Sequence, residues 1–514
     1  MSAVARRQVA KTKSLPSPVG GWNARDPLAL MDESDAVILE NWFPRAGDVV
    51  QRNGYTVHST GLPSSVETLM AYNGPVTQKL FGISNGGIYD ITSSGAVGAA
   101  AVSSLSNSKW QYVNFSTAGG NYMYLVNGTD SPRLYDGSTF TAITGVSTPA
   151  ITGVTTTGLI HVNSFKRRLW FVEKDTLNIW YLPVDSVGGA ASKLSFASIA
   201  RNGGYLMAMA TWTIDAGEGA DDYAVFITSE GEYIVYKGTD PDDPGAWGLI
   251  GVWKLGVPIG RRCFKKVGGD VLIITKDGLI PLSKALISDR VDPRIALTDK
   301  IQQAMSVAAV QYGANFGWEV CFFPPANMIL LNVPVGSNSQ EQYVMNNITG
   351  SWCKFTDWLA NCFEVFQDEL YFGGSTVVLQ AWNGLNDNGN DITTDALQAF
   401  NYFGDRARTK HWKMMRPILS VSGTPEIQIG INTDFSRIAD FSTPSFSPNN
   451  IFTWDVDEWD SDFVWGGANS IVLTDWQTIS GIGYNAAPRL SSVSQGIEVA
   501  WVATDFVYEY GAVI

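Results

Sequence analysis

Histidine and cysteine are scarce in this chain, with three His and four Cys among 514 residues, and that scarcity limits the chemistry available. Cys263, Cys321, Cys353 and Cys362 form no CxxC pair, and His58, His161 and His411 lie far from them in sequence. The ligand spacing of a zinc site is therefore missing, and the expectation is buried free thiols in a reducing compartment. No GxSxG, HExxH or P-loop string occurs, so the sequence carries no positive sign of catalysis, and no cofactor or metal is expected. The densest carboxylate run, Asp455-Val456-Asp457-Glu458-Trp459-Asp460-Ser461-Asp462, lacks the Gly and terminal Glu of an EF-hand loop and reads as a solvated segment. Long apolar runs are absent too, which argues against membrane insertion. The basic start, residues 1–18, lacks the apolar stretch of a secretory signal and reads as a flexible arm carrying Arg6, Arg7, Lys11 and Lys13. Helical periodicity is nearly missing; the best candidates are residues 33–42, behind Asp32 and Ser34 as caps, and residues 299–309. Positive charge is also in deficit. A net charge of −14 disfavours an exterior that grips nucleic acid by phosphate neutralisation, but suits a surface that nucleic acid slides past.

What is plentiful is aromatic side chains and glycine: 18 Trp, 19 Tyr, 24 Phe and 51 Gly, the composition of an all-β protein with frequent tight turns. One short design recurs from residue 79 to 389. Its clearest copy is KLFGISNGGIYDI at 79–91, two apolar runs joined by Asn85-Gly86-Gly87, residues that tolerate the positive φ of a hairpin turn. Related pairs start at Tyr122, Arg168, Asp222, Asp270, Met328 and Glu369, at spacings of roughly 41 to 58 residues, close to the period of a propeller blade. The expectation is a β-propeller of about six or seven blades over residues 63–390, with residues 56–59 available to close the ring against the last blade. Beyond residue 391 the repeat stops and period-two alternation at 426–431, 470–473 and 496–502 suggests a β-sandwich-like C-terminal domain, 391–514. At its head stand Arg406, Arg408, Lys410, Lys413 and Arg416, interleaved with Tyr402, Phe403, His411 and Trp412. That run fits a DNA-facing strip, a subunit interface, or a strand with one solvated face.

Residues 19–55 carry Gly20-Gly21-Trp22-Asn23, Asp26-Pro27, Asn41-Trp42-Phe43-Pro44 and Arg52-Asn53-Gly54-Tyr55. This string resembles the N-terminal signature of the tail nozzle, or tail hub, proteins of short-tailed podovirus-type phages. FKRRLWFVEKDTLNIWYLPVDSVGGA at 165–190 and FNYFGDRARTKHWKMMRPI at 400–418 resemble later parts of the same proteins. Residues 19–62 then read as an extended docking segment along the propeller, with Trp22, Asn23, Trp42 and Phe43 as anchors. The resemblance implies a structural virion protein rather than an enzyme: a hexameric ring below the portal and its adaptor. Such a ring would pass dsDNA along its axis, contact tail fibres or spikes outside, and meet a plug or needle at the tip. Its localisation would be the virion, after synthesis in the host cytoplasm. A carbohydrate-binding or glycan-degrading propeller of the tail-spike or lectin type is the competing expectation, since Trp-rich blades suit sugar stacking.

Overall fold

The computed structural model describes residues 10–215, 220–285, 295–337, 339–438, 441–442 and 471–511. Strands dominate throughout, and the chain divides into two compact units. A ring unit comprises residues 57–342 and 357–381; a terminal unit comprises residues 1–56, 343–356 and 382–514.

The ring unit is built from the recurring hairpins, and their turns explain why they form. Between Gln78–Ser84 and Gly87–Asp90, Asn85 and Gly86 take φ of 47° and 67°, the doubly left-handed turn whose twist matches that of the flanking strands. Each hairpin is preceded by a further, innermost strand. These are Val66–Asn73, Gln111–Thr117, Leu159–Phe165, Leu206–Asp215, Phe264–Val267, Glu319–Phe323 and Cys362–Phe366. Innermost strands of consecutive sheets lie side by side, and Cys362–Phe366 returns to Val66–Asn73, so the set closes on itself as a β-propeller. Apolar clusters fill the space between neighbouring sheets. One joins Met70, Phe81 and Ile83 to Trp110, Met123 and Leu125; another stacks Trp247 on Trp170 at 5.6 Å and on Tyr236 at 5.3 Å. The strand Tyr55–Thr60 lies beside Val378–Ala381, adding an outer strand from the start of the chain to the last sheet.

The terminal unit joins both ends of the chain. Lys410–Val421 pairs with Val499–Tyr510, which also pairs with Lys11–Pro16 and Val49–Gln51. A second layer of strands includes Asp35–Glu40, Ile392–Gln398, Ala486–Ser494 and Glu426–Thr433. Three expectations are corrected here. Lys11–Pro16 is a strand and no part of a flexible arm, because Val499–Tyr510 offers it an open edge to pair with. Residues 19–55 contribute the strands Gly21–Trp22, Asp35–Glu40, Trp42–Pro44 and Val49–Gln51 to this unit's sheets, and the C-terminal strands share those sheets, so residues 391–514 do not stand as a separate domain. Asp35–Glu40 is a strand where a helix was expected. Ser34 does bond back to Asp32 (N···Oδ1 2.9 Å), but as a local turn, and Val37 and Ile38 beyond it favour extended backbone. The other helix candidate is helical over Gln302–Tyr312.

Candidate functional site

The innermost strands of the ring unit turn a set of polar side chains toward one another. Tyr112 donates to Glu364 Oε2 at 2.6 Å. Arg262 reaches Glu319 at 3.3 Å, Thr68 Oγ1 at 2.7 Å and the Glu67 carbonyl at 2.8 Å. His161 bridges the Gln111 amide and the Met209 carbonyl. Tyr112, Glu364, Arg262, Glu319 and His161, with Arg261 and Lys265, line a cavity of about 300 Å³. A larger cavity of about 890 Å³ adjoins it, lined by the loops that lead into the innermost strands and by hairpin turns, including Asn85, Lys109, Asn127, Lys174 and Phe316. The two share Trp110, Gln111, Arg261 and Arg262.

Burial and charge pull against each other at this site. Burial pushes the His161 imidazole down to about 4, against the hydrogen bond to Met209, so it is neutral near pH 7. Burial raises Glu364 above the usual carboxylate range, although Lys265 and the Tyr112 hydroxyl act to lower it. Burial works against the Lys265 charge, yet Glu364 and then the other acidic groups nearby outweigh it, and the ammonium is held more firmly protonated than usual. All four cysteines are buried free thiols, and burial lifts Cys263, Cys321 and Cys362 to about 12, which makes them poor nucleophiles. Among the described residues no group of His, Cys, Asp and Glu is arranged to hold a metal ion. The Asp455–Asp462 run lies outside the described residues.

The residues singled out from sequence sit in the terminal unit, and most are structural. Trp42 is fully buried against Trp501, and Phe43 packs on Phe355 and Trp382. Trp22 meets Tyr343 edge-on at 5.2 Å. Asn23 donates to Asp35 at 2.7 Å and to Asp26 at 2.9 Å, while its Oδ1 accepts from the backbone N–H groups of Arg25 and Asp26. Within the terminal unit Asn23, Trp42 and Phe43 are thus buried and Trp22 is half-buried, each held by neighbours of the same unit. Arg52 is the keystone of the string. It is fully buried, and its five N–H groups reach Asp387 (2.8 and 2.6 Å), Asn41 Oδ1 (2.8 Å) and the carbonyls of Asn53 and Thr356. Gly54 is required beside it, since a Cβ there would lie 1.7 Å from the Asn386 carbonyl oxygen.

The basic run is largely spoken for within the chain. Lys410 is buried and donates to the carbonyls of Asp405, Arg408 and Tyr484. Arg416 meets Asp505 at 2.5 Å and stacks over Trp476; Lys413 lies 3.8 Å from Glu509; Arg408 lies 3.6 Å from Asp405. Arg406 sits over the Tyr402 ring. This arrangement matches an internally compensated strand better than an open cationic strip. Sequence reading did not single out Tyr112, His161, Arg261, Arg262, Lys265, Glu319 and Glu364. The available signal was a charged or polar residue near the start of a short apolar run just ahead of each hairpin, as in FKKV at 264–267 and CFEVF at 362–366.

No protein-family model matches the chain, and no curated protein matches it. Among solved structures the chain is similar to BBS1N in complex with ARL6DN, from a crystal soaked with mercury. There the TM-score is 0.39 at 7% identity, covering 64% of this chain and 97% of that one. The lead-soaked form of the same complex gives 0.38 at 7% identity, covering 65% and 99%.

Proposed function

We propose that this chain is a structural virion protein, the nozzle or tail hub of a short-tailed phage, acting as one subunit of a ring through which DNA is retained and ejected. The propeller is read as seven-bladed, and the strands of residues 391–514 as a sandwich completed by the N-terminal strands. The observation that carries the reading is convergence. The stretches at 19–55 and 400–418 resemble the same proteins yet are far apart in sequence, and they fold into one unit. There Asn401 Nδ2 donates to Glu33 at 2.8 Å, and Lys13 bonds both residues. A resemblance spread over remote segments that meet in space is harder to obtain by chance than one confined to a single run. The third stretch, 165–190, spans a hairpin of the ring unit.

The mechanism is mechanical. The inner cavity of a single propeller, about 300 Å³ and crossed by the Arg262–Glu319 ion pair, is far too small for a duplex. The conduit therefore belongs to the axis of an assembled ring, between copies. A net charge of −14 per copy would make that lumen weakly adhesive toward DNA by like-charge repulsion. Portal–adaptor proteins above, and fibre, spike and tip proteins below, are the partners in this reading. Electron microscopy of the purified chain, alone and with a portal–adaptor assembly, tests it. A ring of about six copies docking end-on, with an axial channel wide enough for a duplex, is expected. Single discs that ignore the adaptor at high concentration would reject the nozzle, and a glycan array would then test the carbohydrate-binding alternative.

A further inference from the structure

The two joined cavities of the ring unit have a charge balance opposite to that of the chain. Lys109, Lys174, Arg261, Arg262 and Lys265 line them against the carboxylates Glu67, Glu319 and Glu364, in a protein whose overall net charge is −14. The carboxylates are largely engaged: Glu67 lies 3.7 Å from Lys109, Glu319 accepts from Arg262 and from the Phe363 N–H, and Glu364 accepts from Tyr112. Among the described residues neither Lys174, Arg261 nor Lys265 forms an ion pair, and the Lys265 ammonium makes no hydrogen bond although it lines the inner cavity. An ammonium in a confined polar cavity without a bonded partner has donors to spare, whereas a structural one is normally satisfied. The volumes, about 300 and 890 Å³, fall in the range of small-molecule sites. Phe316, partly exposed in the outer cavity, adds an apolar face.

We propose that these cavities form a binding site for a small anion, a carboxylate- or phosphate-bearing molecule no larger than a sugar acid or sugar phosphate. Its charged group is held between Arg261 and Lys265, and its body lies in the outer cavity toward Lys174 and Phe316. This site rests on the cavities alone and stands whether or not the chain forms a nozzle ring. Partial burial strengthens the attraction between such cations and an anion relative to open solvent.

The test is titration of the full chain with inorganic phosphate, glucuronate and neutral glucose, followed by calorimetry and by the fluorescence of Trp110 and Trp318, which line the outer cavity. Saturable binding of at least one anion below about 1 mM is expected, with glucose at least tenfold weaker. Phosphate binding tighter than glucuronate identifies a phosphate-bearing ligand, and the reverse order a sugar acid. Arg261→Gln changes an exposed side chain and so leaves folding intact, and should weaken binding at least tenfold. Lys265→Met should do the same, while Lys193→Gln, on a strand outside the cavities, should leave affinity unchanged. No saturation by either anion up to about 10 mM, or binding unaltered by Arg261→Gln, overturns the site.

Discussion

Two charge clusters, one in each unit, use similar side chains in opposite ways. In the terminal unit every N–H of Arg52 has an acceptor, and its carboxylate partner Asp387 is buried with it. In the ring unit the charged groups Arg262, Lys265, Glu319 and Glu364 face a cavity, and Lys265 is held by field rather than by a bond. A closed network of the first kind fixes which remote segments meet, here residue 52 with 356 and 387. An open one of the second kind gives little positional specificity, but keeps donors available to a ligand. Counting buried charges would rank the two alike; counting their unused donors separates them.

The contrast breaks first if the closed network proves dispensable. Asp387→Ala leaves a buried guanidinium without its counter-ion, and should cost about 3–5 kcal/mol of stability, measured as a shift in the denaturant midpoint. A cost no greater than that of Glu364→Gln would show that the two clusters do not differ as described.

The next largest effect belongs to His161 and depends on pH. Its folded value of about 4 lies below the ordinary 6.5, so the unfolded chain takes up the proton first as pH falls. Stability attributable to this residue is fully present above pH 6.5 and declines toward pH 4, by about 3 kcal/mol in total. His161→Gln should flatten that part of the stability–pH curve relative to the parent chain; parallel curves would place the titration elsewhere.

Glu364→Gln sharpens the comparison from the other side. The amide oxygen still accepts from Tyr112, so the cost should be about 1 kcal/mol, while Lys265 loses its strongest opposing charge. Anion affinity at the cavity should rise, and calorimetry would read that directly. Smallest of all is Arg416→Ala. Its pair with Asp505 is about a third exposed on the arginine side, and should contribute about 0.5 kcal/mol or less, shrinking further in high salt.

The hairpins were legible from sequence because their turns require it: Asn85-Gly86 announces positive φ locally, with no help from the rest of the chain. The innermost strands were not, because their polar residues face the cavity and break period-two alternation; Gln111–Thr117, QYVNFST, reads as a loop by composition. The terminal unit was hidden for another reason. Its defining pairs, such as Lys13 with Phe506 and Glu40 with Asp395, join residues hundreds of positions apart, and pairing of that kind leaves no local periodicity. Arg52 stood in the string that carried the resemblance, but a lone arginine between Gln51 and Asn53 gives no sign that it will be buried.

The strands that complete both units come from the front of the chain. Tyr55–Thr60 finds its neighbour at Val378–Ala381, and Lys11–Pro16 finds its own at Val499–Tyr510. During synthesis both segments leave the ribosome well before their partners and wait with bare edges while hundreds of residues follow. At about 5–20 residues per second that wait lasts tens of seconds. On a polysome, where several nascent copies stand close together, an early strand from one chain can meet the late edge of another before its own has been made. Exchange of these strands between neighbouring nascent copies is the misassembly that this order of synthesis exposes the chain to.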